Sequence, residues 1–364
     1  MMTVIRVSLG PRSYPICLDR SYARLPRLLE DLQLGPDAVV VSHRSLLDRF
    51  GPSLIGPLRK AGWSVEALTV PESELSKSYE TAERLMRQLV GLTRMRAPLL
   101  IAFGGGVIGD LTGFVAAVFR RGIPYVQVPT TLLAQVDSAI GGKVGVDLPS
   151  AKNMVGAFYQ PRAVFNHLDI VRTLPVRQRR SGLSEIIKYA AIADPPLFRF
   201  LEREMGACLE LSPRAVRLMV ERCCRIKARV VGLDERETRG LRTQLNFGHT
   251  LGHALETVTG YRRFTHGEAI AVGMACASSL SVEQGLLPRR EHERLLRLLE
   301  EAGLTTRTSG VCLEELRQAL RYDKKFIHGA VRLVLLRGVG RVVVSEAVPT
   351  DALWRAIRRH VAES

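Results

Sequence analysis

The sequence predicts a doubly wound α/β domain at the N-terminal end and a mainly α-helical domain after it. Three observations carry this reading. Short β-branched runs alternate with helical patterns through the first half, as in parallel-sheet domains. A fully apolar run, Leu99–Phe103, leads straight into the glycines Gly104-Gly105-Gly106, the mark of a strand buried on both faces. Beyond about Ser181 the pattern changes to long amphipathic helices. With 364 residues, 46% hydrophobic and 24% charged, the chain has material for two packed cores.

Taken in order, Ala38–Val41 reads as a strand and Ser45–Asp48 as the start of a helix. Glu80–Arg96 has apolar residues at helical spacing, and Ala97-Pro98 ends it. After Leu99–Phe103 and its glycines comes a helix over about Val107–Phe119, then a strand at Tyr125–Val128. The boundary is expected near Pro175–Arg180, dividing residues 1–178 from 179–364. Helices are expected over Pro213–Val231, Thr250–Val258, Glu268–Gln284 and Glu291–Ala302, with Gly232, Gly260, Gly285 and Gly303 as stops. Val331–Leu336 and Arg341–Val344 read as a short hairpin.

Composition excludes several classes. No apolar run approaches the roughly 18 residues of a membrane span. The start, Met1 to Arg6, lacks the layout of a signal peptide, so a cytoplasmic protein is expected. Cys17, Cys208, Cys223, Cys224, Cys276 and Cys312 are scattered, with no CxxC pair, which suits free thiols in a reducing compartment. The net charge is +16, from 52 basic and 36 acidic residues. A nucleic-acid face would interleave those charges with aromatics, which make up only 6%, so no nucleic acid is expected and a small polyanionic substrate is the better partner. Only 8 of the 52 basic residues are Lys, leaving 44 Arg. The lysines are therefore candidates for positions that need a compact ammonium. Apart from Lys60, all fall in the motifs that follow.

Gly104–Asp110 lies between a buried strand and a helix, where glycines let the backbone approach a pyrophosphate. It matches GxGxxG, but it does not follow the first strand, and no acidic residue lies about 20 positions on. The polar loop Pro71–Ser78 offers a carboxylate and an ammonium to a ribose and a phosphate. Pro129–Asp137 follows a strand end, where α/β sheets bind ligands. Gly141-Gly142-Lys143 and Ala151-Lys152-Asn153 place two lysines among small residues, suited to phosphate and hydroxyl oxygens. Three further stretches supply metal ligands: Ser184–Lys188, with Glu185 expected at the start of a helix; Asn246–His253, with His249 and His253 on one helical face; and Thr265–Glu268, with His266. Two imidazoles and a carboxylate form a zinc-type set with an open position. A metalloprotease is disfavoured because His249–His253 lacks the Glu of HExxH.

The runs Gly104–Glu185, Leu245–Glu256, His266–Met274 and Asp323-Lys324-Lys325 resemble the 3-dehydroquinate synthases, sugar-phosphate cyclases that make the first ring of the shikimate pathway. The resemblance spans nearly the whole chain. It implies a Rossmann-like N-terminal domain, a helical C-terminal domain, an active site in the cleft between them, tightly held NAD, one zinc replaceable by cobalt, and a homodimer. Position by position, it assigns the metal to Glu185, His249 and His266. NAD falls to Glu74, Lys77, Gly105, Gly106, Val107, Asp110, Thr130, Thr131, Lys143, Lys152 and the stretch Ile170 to Thr173. Substrate phosphate and hydroxyls fall to Lys143, Lys152, Asn153, Asn246, His253 and one of Lys324 or Lys325, with Lys325 taken as the catalytic one. Arg121 matches an arginine that reaches phosphate across the dimer interface, Lys227 and Arg242 match carboxylate binders, and Asp137 and Lys188 match further active-site groups. Arg242 precedes Asn246 by four positions, so a continuing helix would point both the same way.

Two departures stand out. Ser73 occupies the position of the usual Gly in the family's Pro-x-Gly-Glu loop, and Glu237 lies five residues before Arg242 where four is common. The implied lyase reaction converts 3-deoxy-D-arabino-heptulosonate 7-phosphate to 3-dehydroquinate and phosphate. Two rivals are a cyclase of the deoxy-inosose or valiolone synthase type, whose substrate lacks a carboxylate, and a metal-dependent polyol dehydrogenase, which would accumulate NADH.

Overall fold

The alternation of the first half builds one sheet in the computed structural model, which describes residues 2–92, 98–148, 151–322, 326–327 and 330–363. The chain divides into two compact units, Met1–Thr173 with Lys227–Arg236, and Leu174–Ile226 with Glu237–Ser364.

In the first unit the elements are β1 (Thr3–Val7), β2 (Tyr14–Asp19), α1 (Leu25–Asp31), β3 (Asp37–Ser42), α2 (Arg44–Lys60), β4 (Ser64–Thr69), α3 (Tyr79–Gly91), β5 (Leu99–Gly104), α4 (Gly106–Val118), β6 (Tyr125–Pro129), β7 (Lys143–Leu148), β8 (Ala151–Phe158) and β9 (Ala163–His167). Seven strands form a sheet in the order β1-β2-β9-β6-β5-β3-β4. All neighbours are parallel except β1 and β2. Every residue of β5 is buried, as its unbroken apolar run requires. Val39, Val41, Leu100 and Ala102 pack on one face with Leu85 and Leu89 of α3 and Ile108, Leu111 and Val115 of α4. Each Val, Leu or Ile among them contributes about 1.5–3 kcal/mol when fully buried.

Strand order reverses between β3 and β5, a topological switch point where parallel sheets bind ligands. The register puts Gly104 opposite Pro129, so the glycine turn and the residues after β6 leave the sheet at one edge. The turn Phe119–Arg121 instead leads into the start of β6, at the opposite edge. An unanticipated hairpin, β7–β8, lies over α4. Its strands meet with Gly145 directly opposite Gly156.

The second unit contains α5 (Val176–Ala193), α6 (Pro195–Leu209), α7 (Pro213–Leu233, whose residues from Lys227 on belong to the first unit), α8 (His249–Val258), α9 (His266–Glu283), α10 (Arg289–Glu301), α11 (Leu313–Tyr322), β10 (Phe326–Ile327), β11 (Ala330–Gly338), β12 (Arg341–Pro349) and α12 (Thr350–His360). α9 packs against α5, α8, α10, α12 and β11, which explains why it is apolar or small on nearly every face. β11 and β12 form the expected antiparallel hairpin, extended by the short β10.

Two expectations are corrected. Glu185 sits in the middle of α5, because that helix already begins at Val176. The helix through Arg242 does not continue into α8. Arg242–Asn246 is a 3-10 turn, and Phe247 and Gly248 break the chain before α8 begins. Gly248 takes φ +79°, a left-handed conformation that costs glycine little. Among the described residues no helix is long and apolar enough to cross a membrane.

Candidate active site

Three elements of the second unit converge on one carboxylate. On α5, Ser181 and Glu185 are one turn apart. Ser181 Oγ accepts the Gly267 N–H at 3.1 Å, and a Cβ on Gly267 would lie 2.3 Å from the Ser181 carbonyl oxygen. Only glycine lets the start of α9 come this close, which brings the preceding residue, His266, to Glu185. The start itself is fixed by a capping box: Thr265 Oγ1 accepts the Glu268 N–H, and Glu268 accepts the Thr265 N–H. On α8, His249 is the first helical residue, one position after the left-handed Gly248.

The result is a focused donor set. Nε2 of His249 and Nε2 of His266 each lie 3.7 Å from Glu185 Oε1. Their other ring nitrogens are engaged elsewhere, Nδ1 of His249 with the Phe247 carbonyl at 3.1 Å and Nδ1 of His266 with both oxygens of Glu256 at 3.4 Å. Both imidazoles therefore present Nε2 to the same point, as metal-ligating histidines do. Lys188, almost completely buried, pairs with Glu185 Oε2 one turn along α5 and leaves Oε1 toward the imidazoles.

The electrostatics suit a cation. Burial, reinforced by Lys188 and the neighbouring His253 and His266, pushes His249 well below its usual range, so its ring is neutral and able to ligate. Burial also opposes charge on His266, but hydrogen bonds to Glu185 and Glu256 outweigh it and lift the group to about 10. His253 follows His249 by one turn of α8, with ring centroids 5.2 Å apart, but its side chain is exposed. Arg242 is buried in the turn before α8, and that turn packs against α5 and β12. Asn246 donates to Glu237 at 3.5 Å.

In the first unit, Lys77 is the hub. It pairs with Asp110 Oδ2 at 2.7 Å, lies 4.0 Å from Asp147 Oδ1 and donates to Asn153 Oδ1. Burial is the largest influence on both partners. It opposes charge on Lys77, where Asp110 outweighs it and leaves the ammonium raised, and it raises Asp110 despite Lys77. Lys152 pairs with Glu74 beside this network. Asn153 takes φ +55° in β8, and its N–H donates to Asp147 Oδ1. Gly105 precedes α4 with no side chain capping the helix's first N–H groups. A Cβ there would come within 3.1 Å of Thr131 Cγ2, so the glycine lets the start of α4 lie close against the Thr130-Thr131 turn. Val107 opens α4, and Ile170–Thr173 is a 3-10 turn following β9. Asp137 lies on a π-turn, Ala134–Ser138, where Lys227 donates to its carboxylate at 2.6 Å and its carbonyl at 2.8 Å. Lys143 is exposed at the start of β7.

Comparison with known proteins adds an independent line. Residues 182–326 match the family model described as 3-dehydroquinate synthase C-terminal, and residues 67–181 match its N-terminal counterpart. The chain belongs to the 3-dehydroquinate synthase family. It is 42% identical over 362 residues to the 3-dehydroquinate synthase of Nostoc punctiforme, covering 98% of this chain and 99% of the relative. Among solved structures it resembles a 2-deoxy-scyllo-inosose synthase complexed with carbaglucose-6-phosphate, NAD+ and Co2+ (TM-score 0.86, 26% identity, 98% of this chain and 100% of that one). It also resembles a 2-epi-5-epi-valiolone synthase from Streptomyces hygroscopicus with NAD+ and Zn2+ bound (TM-score 0.83, 27% identity, 95% and 96% coverage).

Against the 3-dehydroquinate synthase pattern, Ser73 is accommodated without strain. Its φ of −155° is extended backbone, and its Oγ accepts the Leu75 N–H at 3.2 Å, capping the turn Glu74–Ser76. Arg121 is exposed and has φ +64°. Lys324 and Lys325 lie outside the described residues. Sequence reasoning passed over Glu256, although its spacing from His249 and His253, seven and three residues, places it on the same stripe of α8.

Proposed function

We propose that this chain is a 3-dehydroquinate synthase in activity, a carbon–oxygen lyase that converts 3-deoxy-D-arabino-heptulosonate 7-phosphate to 3-dehydroquinate and phosphate. The observation that carries this is the convergence of His249 and His266 on Glu185, a three-ligand set of the kind that leaves a coordination position for substrate oxygens. The donor set fits zinc or cobalt, and the glycine turn at the sheet's switch point fits the pyrophosphate of NAD. When bound, the metal polarises substrate oxygens while NAD accepts and later returns one hydride.

The chain's own residues then hold a polyanion in one conformation, so their share of catalysis is orientation and electrostatics. Lys143, Lys152 and Asn153 serve the phosphate, and Asn246 and His253 the hydroxyls. The Arg242 guanidinium and Lys227 serve the carboxylate. Lys188 holds Glu185 in place, as Asp137 holds Lys227. Glu74, Lys77 and Asp110 take the ribose end of NAD, with Gly105, Gly106, Val107, Thr130, Thr131 and Ile170–Thr173 around the rest. The test is product analysis by NMR with the heptulosonate phosphate. Dehydroquinate and phosphate should form in equal amounts, NAD should be needed only catalytically, and absorbance at the NADH band should not grow. Stoichiometric NADH would favour a polyol dehydrogenase.

A homodimer with Arg121 acting in trans belongs to the same proposal. Arg121 stands at the start of β6, across the sheet from the edge that carries the glycine turn, and a six-residue strand such as β5 spans about 20 Å. That distance supports a role toward a second copy. Mixing inactive Arg121→Ala chains with inactive His266→Ala chains should restore activity, because a mixed dimer can hold one intact site. No recovery, under conditions where subunits are shown to exchange, would mean the residue acts in cis or not at all.

A further inference from the structure

We infer that Glu256 is a positioning residue for the metal centre, fixing which nitrogen of His266 meets the ion and strengthening that nitrogen as a ligand. The inference rests on the metal-site reading above. His266 begins α9 with 28% of its side chain exposed, and an imidazole can present either ring nitrogen to an ion. Glu256 removes that freedom. Its two oxygens stand equidistant from Nδ1, 3.4 Å each, so the carboxylate faces the ring squarely and accepts Nδ1–H. Nε2 is then the lone-pair nitrogen, and it is the one directed at Glu185. Polarisation of the ring by a buried carboxylate also makes Nε2 a better donor to a cation.

The two imidazoles are held differently. His249 leans on a backbone carbonyl, which no side-chain substitution removes, whereas His266 depends on one replaceable residue. Glu256 is itself well placed for the task. It is 9% exposed and rides on α8 in register with His249 and His253, so the helix that supplies one ligand also orients another.

A second arrangement is possible from the same atoms. His253, Glu256 and His266 also offer ligand atoms that lie within 4.8 Å of one another. With a metal already on Nε2, ligation through Nδ1 would require the imidazole to lose both protons, so acceptance of Nδ1–H is the favoured role.

The test is metal affinity of the apoprotein, measured with Zn2+ against a chromophoric chelator and with Co2+ by its visible spectrum. Glu256→Leu should weaken Zn2+ binding about 10- to 100-fold and alter the cobalt spectrum. Glu256→Gln keeps a neutral acceptor oxygen, so its loss should be smaller but still measurable, and a loss in a variant that preserves the side chain's shape is one that a role in packing alone would not produce. Should the Leu variant fail to fold, the near-isosteric Gln variant against wild type still reads the effect. Wild-type affinity and spectrum in both variants would overturn the inference. Two control variants separate it from the reading beneath it. His249→Ala should lose the metal and His253→Ala should keep it. The reverse pattern would move the ion to the His253 side, overturning both, whereas the expected control pattern with unaffected Glu256 variants would overturn the positioning role alone.

Discussion

Replacing His266 by Ala is expected to strip the protein of its divalent metal and to lower turnover by more than about a thousand-fold. Polarisation of substrate oxygens by a bound metal is worth several kcal/mol, and about 4 kcal/mol corresponds to three orders of magnitude in rate. The Ala variant keeps only His249 and Glu185 of the three converging donors, and Glu185 is still shared with the Lys188 ammonium. A chelator should reproduce the loss in the wild-type protein, with zinc or cobalt restoring activity there but not in the variant. His253→Ala should retain one metal per chain, because that ring is exposed and stands outside the set focused on Glu185. Metal analysis decides the matter before any assay is run: an ion lost from the His253 variant and retained by the His266 variant would refute the ligand assignment.

What the sequence revealed depended on the length scale of the signal. β5 announced itself because burial on both faces demands an unbroken apolar run, and α8 and α10 because amphipathic helices of ten residues or more repeat their pattern. The β7–β8 hairpin was invisible for the opposite reason. Its strands carry several small residues, with Gly145 facing Gly156, so neither an apolar run nor a clean alternation marks it. Yet this hairpin carries Lys143, Lys152 and Asn153, whose residue types were legible while their support was not.

The metal ligands show the same division. Glu185, His249 and His266 stood out as residue types, but their convergence depends on backbone approach that no spacing encodes, namely Gly267 against Ser181 and the break at Gly248. Expecting Glu185 to open a helix failed because the polar stretch Arg177–Arg180, which looks like a linker, is the exposed first turn of α5. Arg242 was expected to share a helical face with Asn246. The 3-10 turn cancels that alignment, since residues three apart, not four, eclipse one another at three residues per turn.

In the proposed function Arg242 nevertheless draws the sharpest boundary, between this chain and cyclases whose substrates carry no carboxylate. Its side chain belongs to a residue only 5% exposed, in the short turn that leads into the metal-binding helix and packs on the helix bearing Glu185. Under the proposed role its planar fork meets the C1 carboxylate of the heptulosonate, the geometry in which guanidinium–anion pairs are strongest. Truncating one partner of a desolvated charged pair costs about 2–5 kcal/mol. Arg242→Gln should therefore lower kcat/KM for the heptulosonate phosphate by roughly 30-fold to several thousand-fold. Zinc affinity and NAD binding should stay at wild-type values, because Arg242 is not among the residues proposed to hold either group. Those two measurements also guard against a trivial loss of folding. Near-wild-type kinetics in the Gln variant would mean that Arg242 is a structural residue of its turn, and would reopen a substrate without a carboxylate.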